Sequence, residues 1–214
     1  MNKYLKILLL FFGAIVIGIA LLIVTFVLEM KPDKDKEEQV RIQAEQYLED
    51  NFNENFEVYD TLFDNMGNFE FEYAAKALDK SNHTQFLVYY DDEIKQMVDT
   101  YIADKWADDL KTEIRPFIKE NFGETTDFHV FFTNETIGNE LGIDPINPKS
   151  YTEFDVAPTI RITVPRKKSD EDDKIVNDFI SFLQSEGILQ SGSVSIEYIA
   201  KNGEILDDEW SKEF

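Results

Sequence analysis

The sequence predicts an α+β protein in which an N-terminal transmembrane helix is followed by an antiparallel sheet packed with about three helices. Three observations lead to this class. Residues 7–28 contain no charged side chain, several later segments alternate apolar and polar residues as a strand does, and three others repeat apolar residues with the period of a helix. Because tight turns connect most of the alternating segments, we expect antiparallel pairing.

The apolar run 7–28 has the length and composition of a membrane span. A hydrocarbon core of roughly 30 Å requires about 20 apolar residues at a helical rise of about 1.5 Å each, and the run contains 22. A cleavable signal has a shorter apolar region of about 7–15 residues before a small-x-small site. The one candidate site, Gly18-Ile19-Ala20, lies inside the run, so we interpret the run as an uncleaved anchor.

Basic residues lie on both sides of the run. They influence which end of a membrane span faces the cytoplasm, because basic residues favour the cytoplasmic side. The short tail 1–6 carries Lys3 and Lys6 and is typical of the cytoplasmic start of an export signal. Four basic residues follow the run, at Lys31, Lys34, Lys36 and Arg41. They favour the opposite orientation. We expect a cytoplasmic tail and an extracytoplasmic C-terminal domain over 37–214, with the topology open to test.

The rest of the chain is strongly acidic. All 43 acidic residues and 19 of the 21 basic residues follow the apolar run, so residues 29–214 carry a net charge of −24. This charge opposes binding to nucleic acid and to anionic lipid. It favours a basic protein partner or divalent cations, and it also serves solubility alone. The absence of cysteine excludes disulfides and thiol chemistry, and 18 Phe with 9 Tyr favour a folded domain over disorder.

The first half of the domain is predicted to contain a helix and a three-stranded meander. A juxtamembrane linker over 29–36 precedes a helix over 37–51, which is indicated by apolar residues at i, i+4, i+7 and i+8, namely Val40, Ala44, Tyr47 and Leu48. Alternating residues predict strands at 56–59, 69–73 and 85–90, connected by turns at 66–68 and 79–82.

A long helix is expected after the third strand. Asp91-Asp92-Glu93 is typical of a helix start, because carboxylates favour the positive end of the helix dipole. The apolar face then extends from Ile94 to Ile118. Pro116 should kink or break this helix, because proline lacks an amide donor and clashes one turn back. Gly123 should end it.

The second half is predicted to contain strands around one further helix. A strand at 127–132 precedes a long loop over 134–155, with room for one helical turn, and a strand at 159–164 that Pro158 marks as an edge strand. Ser169 to Asp172 resembles a capping box before a helix that ends at Gly187. The remaining features are a strand at 194–198, a hairpin turn at Asn202-Gly203 and a short strand at Ile205-Leu206. The α-βββ-α-β-β-α-β order fits either one continuous sheet or two lobes, over 37–123 and 124–214.

The chain has none of the standard catalytic signatures, with no G-x-S-x-G, H-E-x-x-H, P-loop or G-x-G-x-x-G. His83 and His129 fall in predicted strands, and a metal site would require them on neighbouring strands beside a carboxylate such as Asp127. Acidic clusters at 91–93, 108–109, 170–173 and 207–209 lack the ligand spacing of an EF-hand. We assign no catalytic, cofactor-binding or metal-binding residue.

Four tyrosines in or beside the predicted strands are candidates for a binding surface: Tyr59, Tyr73, Tyr89 and Tyr90. Tyrosine is enriched at such surfaces because it offers contact area and a hydroxyl group. It is also an ordinary sheet residue, and we interpret these four as core or plain surface.

The span 7–28 and the α-βββ-α stretch 37–121 resemble small membrane-anchored exported proteins of low-GC Gram-positive bacteria, which combine an N-terminal span, no cysteine and an acidic, aromatic-rich α+β domain. Some of these, of the TipC type, serve as immunity factors against secreted antibacterial toxins. The resemblance implies a binding protein at the membrane surface, not an enzyme, that neutralises a basic toxin or enzyme. Two alternatives stay open: an envelope sensor or accessory subunit of a membrane complex, and a carboxylate-dependent hydrolase.

Overall fold

A computed structural model describes residues 2–123 and 126–214 and begins with a long apolar helix, α1 (Lys3–Glu29). Its segment Leu10–Leu28 has a mean hydropathy of 2.9 and contains no buried residue. Thr25 satisfies its hydroxyl within the helix, by donating to the carbonyls of Leu21 and Leu22. In the described part of the chain, α1 is the one helix long and apolar enough to cross a membrane.

The second helix, α2 (Lys34–Asn51), begins inside the predicted linker and confirms the apolar stripe. It starts at Lys34 because the Asp33 carboxylate accepts a hydrogen bond from the Asp35 amide at 2.9 Å, which caps the free N-terminal donors. Val40, Ala44 and Leu48 are buried.

The first sheet is an antiparallel meander of four strands in chain order. Its strands are β1 (Phe56–Phe63), β2 (Tyr73–Asp79), β3 (Gln85–Asp91) and β4 (Gln96–Asp99). The strand predicted at 69–73 was wrong, because Asp64 folds the residues before Tyr73 into a loop by accepting from the Met66 and Phe69 amides.

The helix start predicted at 91–93 was also wrong. Asp91 accepts hydrogen bonds from the amides of Glu93 and Ile94, at 2.7 and 3.1 Å, and closes a turn between β3 and β4. Lys95 completes that turn with a φ of 60°. The carboxylate that resembles a helix start therefore stabilises a hairpin turn, a second common use of Asp.

The long helix α3 (Tyr101–Phe122) instead begins after β4 and continues through Pro116, so of the kink or break predicted there the break is excluded. Pro116 and Thr112 are both exposed, so water can reach the carbonyl that the proline leaves without a partner. Ile114 and Ile118 are fully buried on the opposite side and hold the helix in place.

The second sheet also has four strands in chain order, but its central pair is parallel. Its elements are β5 (Asp127–Phe131), α4 (Ile137–Leu141), a 3₁₀ turn (Tyr151–Glu153), β6 (Thr159–Val164), α5 (Asp172–Ser185), β7 (Ser193–Ile199) and β8 (Ile205–Glu213). Helix α5 provides the crossover that a parallel pair requires. The predicted loop over 134–155 contains α4 and the 3₁₀ turn.

Pro158 does not mark an edge strand, because β6 pairs with β5 on one side and β7 on the other. The proline precedes the first residue of the strand, where the ladder needs no amide from it. Its carbonyl accepts a hydrogen bond from the Ser193 amide at 3.0 Å.

One hydrophobic core extends through both sheets. Val88 of the first sheet, Ile114 of α3, and Ile160 and Ile196 of the second sheet are all fully buried in the same cluster. The fold class predicted from the sequence is therefore confirmed, as an α+β arrangement of two sheets that share α3.

Candidate binding groove

The two faces of the first sheet differ in what covers them. Ala75 and Val88 point into the main core beneath α2 and α3. On the opposite face, Tyr89 belongs to a separate small cluster in which Leu62 and Leu87 are partly exposed. The exposed Tyr59 donates a hydrogen bond to Gln85 Oε1 at 3.0 Å beside this cluster. On this second face Ala74, Tyr89 and Val98 are buried, and Leu62 and Leu87 stay partly exposed.

Strand β5 and the segment that follows it form the opposite wall. The segment is held close to α3, because a Cβ added to Gly138 would lie 2.5 Å from Ile102 Cγ1. It is also fixed to the first sheet by Asn139, whose Oδ1 accepts from the Asp99 amide at 3.0 Å. Asn139 Nδ2 donates to the Tyr47 hydroxyl at 2.9 Å. The wall is therefore part of the folded structure.

Between the walls lie three adjoining cavities of about 710, 450 and 380 Å³. Phe69 and Glu135 line both the first and the second cavity. Asp104 and Val130 line both the second and the third. We call this continuous depression, from Glu93 at one end to His83 at the other, the groove.

The largest cavity of the groove is acidic. Five carboxylates line it, from Glu70, Asp91, Glu93, Glu135 and Glu140, and its described lining contains no Lys or Arg. Among the residues that the structure describes, none of the five forms a salt bridge. The same cavity is lined by Phe69, Phe71 and Tyr89. The pattern of aromatic surface with uncompensated negative charge suits a ligand that is both cationic and partly apolar.

Asp104 lies where the second and third cavities meet. Burial raises the pKa of its carboxyl to about 7, although a 2.5 Å hydrogen bond from the Thr100 hydroxyl opposes the change. The negative charges of Glu135, Asp108 and Asp99 add to the increase. A cation that binds near this carboxyl group would favour its ionised form and lower its pKa.

Both histidines line the third cavity, with Asp104, Asp108 and Lys111. His129 lies on β5, as predicted, and its Nε2 is 3.6 Å from an Asp127 carboxylate oxygen. His83 lies in the turn between β2 and β3 with a φ of 66°, so its predicted place in a strand was wrong. Across residues 2–123 and 126–214, no group of three or more His, Asp or Glu side chains has a metal-binding arrangement.

Of the four candidate tyrosines, two line the groove. Tyr59 lines the second cavity and Tyr89 the first. Burial, together with the negative charges of Glu135 and Glu70, raises the pKa of Tyr89 to about 12. Tyr73 instead accepts a hydrogen bond from the Asp33 amide at 2.9 Å, and Tyr90 is 41% exposed outside the groove lining.

The predicted acidic clusters have separate roles. Asp91 and Glu93 line the first cavity of the groove, and Asp108, which accepts a hydrogen bond from the Thr84 hydroxyl, lines the third. Asp172 is 1% exposed and receives two hydrogen bonds from Arg166, at 2.6 and 2.9 Å, which tie the start of α5 to the end of β6.

Sequence reasoning missed Asp104 and Glu135. One signal was available for Asp104, which interrupts the apolar run between Tyr101 and Trp106 at the start of α3. No comparable signal marks Glu135, an exposed acid in a loop.

Comparison with known proteins adds little to the geometry. No family model and no curated protein matches the chain. The crystal structure of a DUF5037 family protein from Ruminococcus gnavus ATCC 29149 is similar to it with a TM-score of 0.48 and 12% identity, over 81% of this chain and 90% of that one.

Proposed function

We propose that this chain is a single-pass, membrane-anchored binding protein whose C-terminal domain lies outside the cytoplasm and binds a cationic segment of a protein partner in the groove. The observation that carries the proposal is the first and largest cavity of the groove, which is lined by Phe69, Phe71 and Tyr89 and by five carboxylates that form no salt bridge within the described part of the chain. In this proposal the chain acts by binding and not by catalysis.

The charges of the groove suit recognition of Lys or Arg side chains. Complementary charge increases the rate of association and disfavours partners of the wrong sign. The exposed Phe131 and the partly exposed Leu87 of the second cavity supply apolar area that can be removed from water on binding. Such burial stabilises a complex by roughly 25 cal/mol per Å² before the costs of association. An acidic surface of this kind is compatible with an immunity or inhibitor protein that neutralises a basic secreted toxin or enzyme.

A peptide-binding measurement tests the groove. The probe is a peptide of alternating Arg and Leu, titrated against the full chain in phosphatidylcholine nanodiscs, with an alternating Glu and Leu peptide as the negative probe. Replacing Glu93, Glu135 and Glu140 by Gln should raise the Kd of the Arg peptide roughly tenfold or more, because three charge contacts are lost.

The matched control replaces three exposed acids of β8 in the same way, Asp207→Asn, Asp208→Asn and Glu209→Gln. It changes the net charge equally but lies outside the groove lining. An equal loss of affinity in both variants would show that the peptide responds to overall charge, and an unchanged affinity in the groove variant would exclude the groove as the site.

The biological role is tested by gene context and by co-expression. A gene for a secreted basic toxin beside the gene for this chain favours the immunity role, and co-expression should then protect cells in a manner that the groove variant abolishes. Protection that persists in the groove variant would contradict the proposal.

A further inference from the structure

Residues 64–69, the first part of the segment between β1 and β2, form a folded loop. The Asp64 side chain is only 8% exposed. Its carboxylate accepts hydrogen bonds from the Met66 amide at 3.0 Å, the Phe69 amide at 2.9 Å and Asn68 Nδ2 at 3.1 Å. Because the buried Asp64 carboxylate accepts these hydrogen bonds, contacts inside the loop itself stabilise its conformation.

This loop directs apolar side chains outward. Met66 is 75% exposed and Phe69 is 42% exposed. Phe69 stacks on Phe71 with a ring separation of 5.0 Å, which supports it from the side of the sheet. Two apolar side chains at the tip of an ordered loop can be removed from water by a partner or by a lipid surface.

The loop lies beside the end of α1. Asn65 Nδ2 is 2.9 Å from the Met30 sulfur, and Met30 is the C-terminal cap of α1, two residues after the apolar segment ends at Leu28. Two further contacts join the base of the loop to the start of α2: the Asp33 amide donates to the Tyr73 hydroxyl, and Lys36 Nζ lies 3.0 Å from Glu72. The loop is therefore close to the point where a membrane-spanning α1 would leave the hydrocarbon core.

We propose that residues 64–69, which we call the bilayer loop, place Met66 and Phe69 in the interfacial region of the leaflet where α1 ends. The inference rests on the proposed membrane span. Its occupant is a zwitterionic lipid surface, since the strongly acidic domain is repelled by anionic lipid. Lys31 and Lys34 are exposed at the same end of α1 and can contact lipid phosphates.

Insertion of the bilayer loop would also fix the position of the groove relative to the membrane. Gly67, Asn68 and Phe69 line the largest cavity, so insertion of the loop would place the mouth of that cavity next to the bilayer. The loop would also restrict rotation of the domain about the α1–α2 connection. A partner that approaches along the membrane surface would then meet the acidic end of the groove first.

The absence of cysteine permits a direct test by single nitroxide labels on the full chain in phosphatidylcholine nanodiscs. The labelled variants are Met66→Cys and Phe69→Cys. Leu22→Cys in α1 reports insertion of the span, and Ile205→Cys, at a side chain that is 77% exposed on β8, is the matched control for an exposed label. The measurement is the ratio of collision rates with molecular oxygen, which enters the bilayer, and with a water-soluble nickel chelate.

We expect ratios at positions 66 and 69 that are severalfold higher than at position 205 and lower than at position 22, because an interfacial label lies less deep than one inside the span. A high ratio at position 22 with aqueous ratios at 66 and 69 would overturn the bilayer loop and leave the membrane span intact. An aqueous ratio at position 22 would overturn both. Low collision rates with both reagents at 66 and 69 would indicate contact with a second copy of the chain, and would also overturn the lipid assignment.

Discussion

Two carboxyl groups in this protein show how hydrogen-bond partners determine the effect of burial. For Asp172, burial opposes ionisation, but the paired Arg166 guanidinium and the Ser169 amide hold the pKa of the carboxyl below its usual range. For Asp104, the Thr100 hydroxyl does not offset burial and the neighbouring negative charges, and the pKa is raised to about 7. The first carboxylate stabilises the fold, whereas the second is available to a cation in the groove.

The raised pKa of Asp104 predicts a pH-dependent stability. The carboxyl of an unfolded Asp has a pKa of about 3.9, whereas in the folded protein the pKa of Asp104 is about 7. Between these values the folded state holds a proton that the unfolded state has lost, so this group lowers the free energy of unfolding as pH rises. The Asp104→Asn variant should therefore gain stability relative to the natural chain between pH 4 and pH 7, by on the order of 1–3 kcal/mol.

Urea unfolding of the full chain in detergent micelles, followed at several pH values, measures this difference. Thr112→Ala, an exposed neutral position of the same helix, is the control and should differ from the natural chain by an amount independent of pH. A pH-independent difference for Asp104→Asn as well would contradict the raised pKa.

At the scale of the element, α3 shows that packing can override a local signal. The proline at 116 disfavours a helix, yet the buried side chains before and after it keep the helix continuous from Tyr101 to Phe122. The turn at Asp91 shows the converse, because a carboxylate cluster that is typical of a helix start closes a hairpin. For α3, packing against distant residues decided between two structures that the local pattern allows, and for the turn at Asp91 a local side-chain hydrogen bond did so.

Pro116→Ala should stabilise the protein. The substitution restores one amide donor on the exposed side of α3 and removes the clash with the preceding turn, while the unfolded chain gains some freedom. The net increase in the free energy of unfolding should be about 1–3 kcal/mol. Chemical denaturation in detergent measures it, with Thr112→Ala as the calibration for helix propensity alone. A destabilised Pro116→Ala variant would mean that the proline ring makes a needed contact.

At the scale of the whole molecule, the orientation of the domain determines where the groove can act. Basic residues flank the apolar helix on both sides, so the charge rule does not decide the topology by itself. The fold is compatible with either side of a membrane, because the domain has no disulfide whose formation would require an oxidising compartment.

Single-cysteine labelling of intact cells tests the outward orientation. Ile205→Cys should react with a membrane-impermeant maleimide on intact cells, because this side chain is exposed on the domain. Asn2→Cys, on the other side of α1, should react only after the cells are made permeable. The reverse pattern would place the groove in the cytoplasm and remove the secreted partner from the proposal.

Much of the fold followed from local patterns. The alternation in β1, β3, β5, β6 and β7, the apolar faces of α2 and α5, and the hairpin at Asn202-Gly203 were all predicted from residues close together in the chain. The failures at 69–73 and 91–93 arose where one Asp side chain organised the backbone. Such an interaction leaves no periodic pattern in the sequence. Nothing in the residues next to Asp64 and Asp91 distinguishes these two from the other acidic residues of the chain.

By itself, the sequence determined the class of the domain, the apolar N-terminal helix and the excess of negative charge, because hydropathy, periodicity and composition are properties of neighbouring residues or of the chain total. Only the tertiary structure decided which acids face one another. Glu70, Asp91 and Glu135 meet in one cavity because a turn, a loop and two sheets bring them together. The groove depends on distances between segments far apart in the chain, and no local pattern encodes those distances.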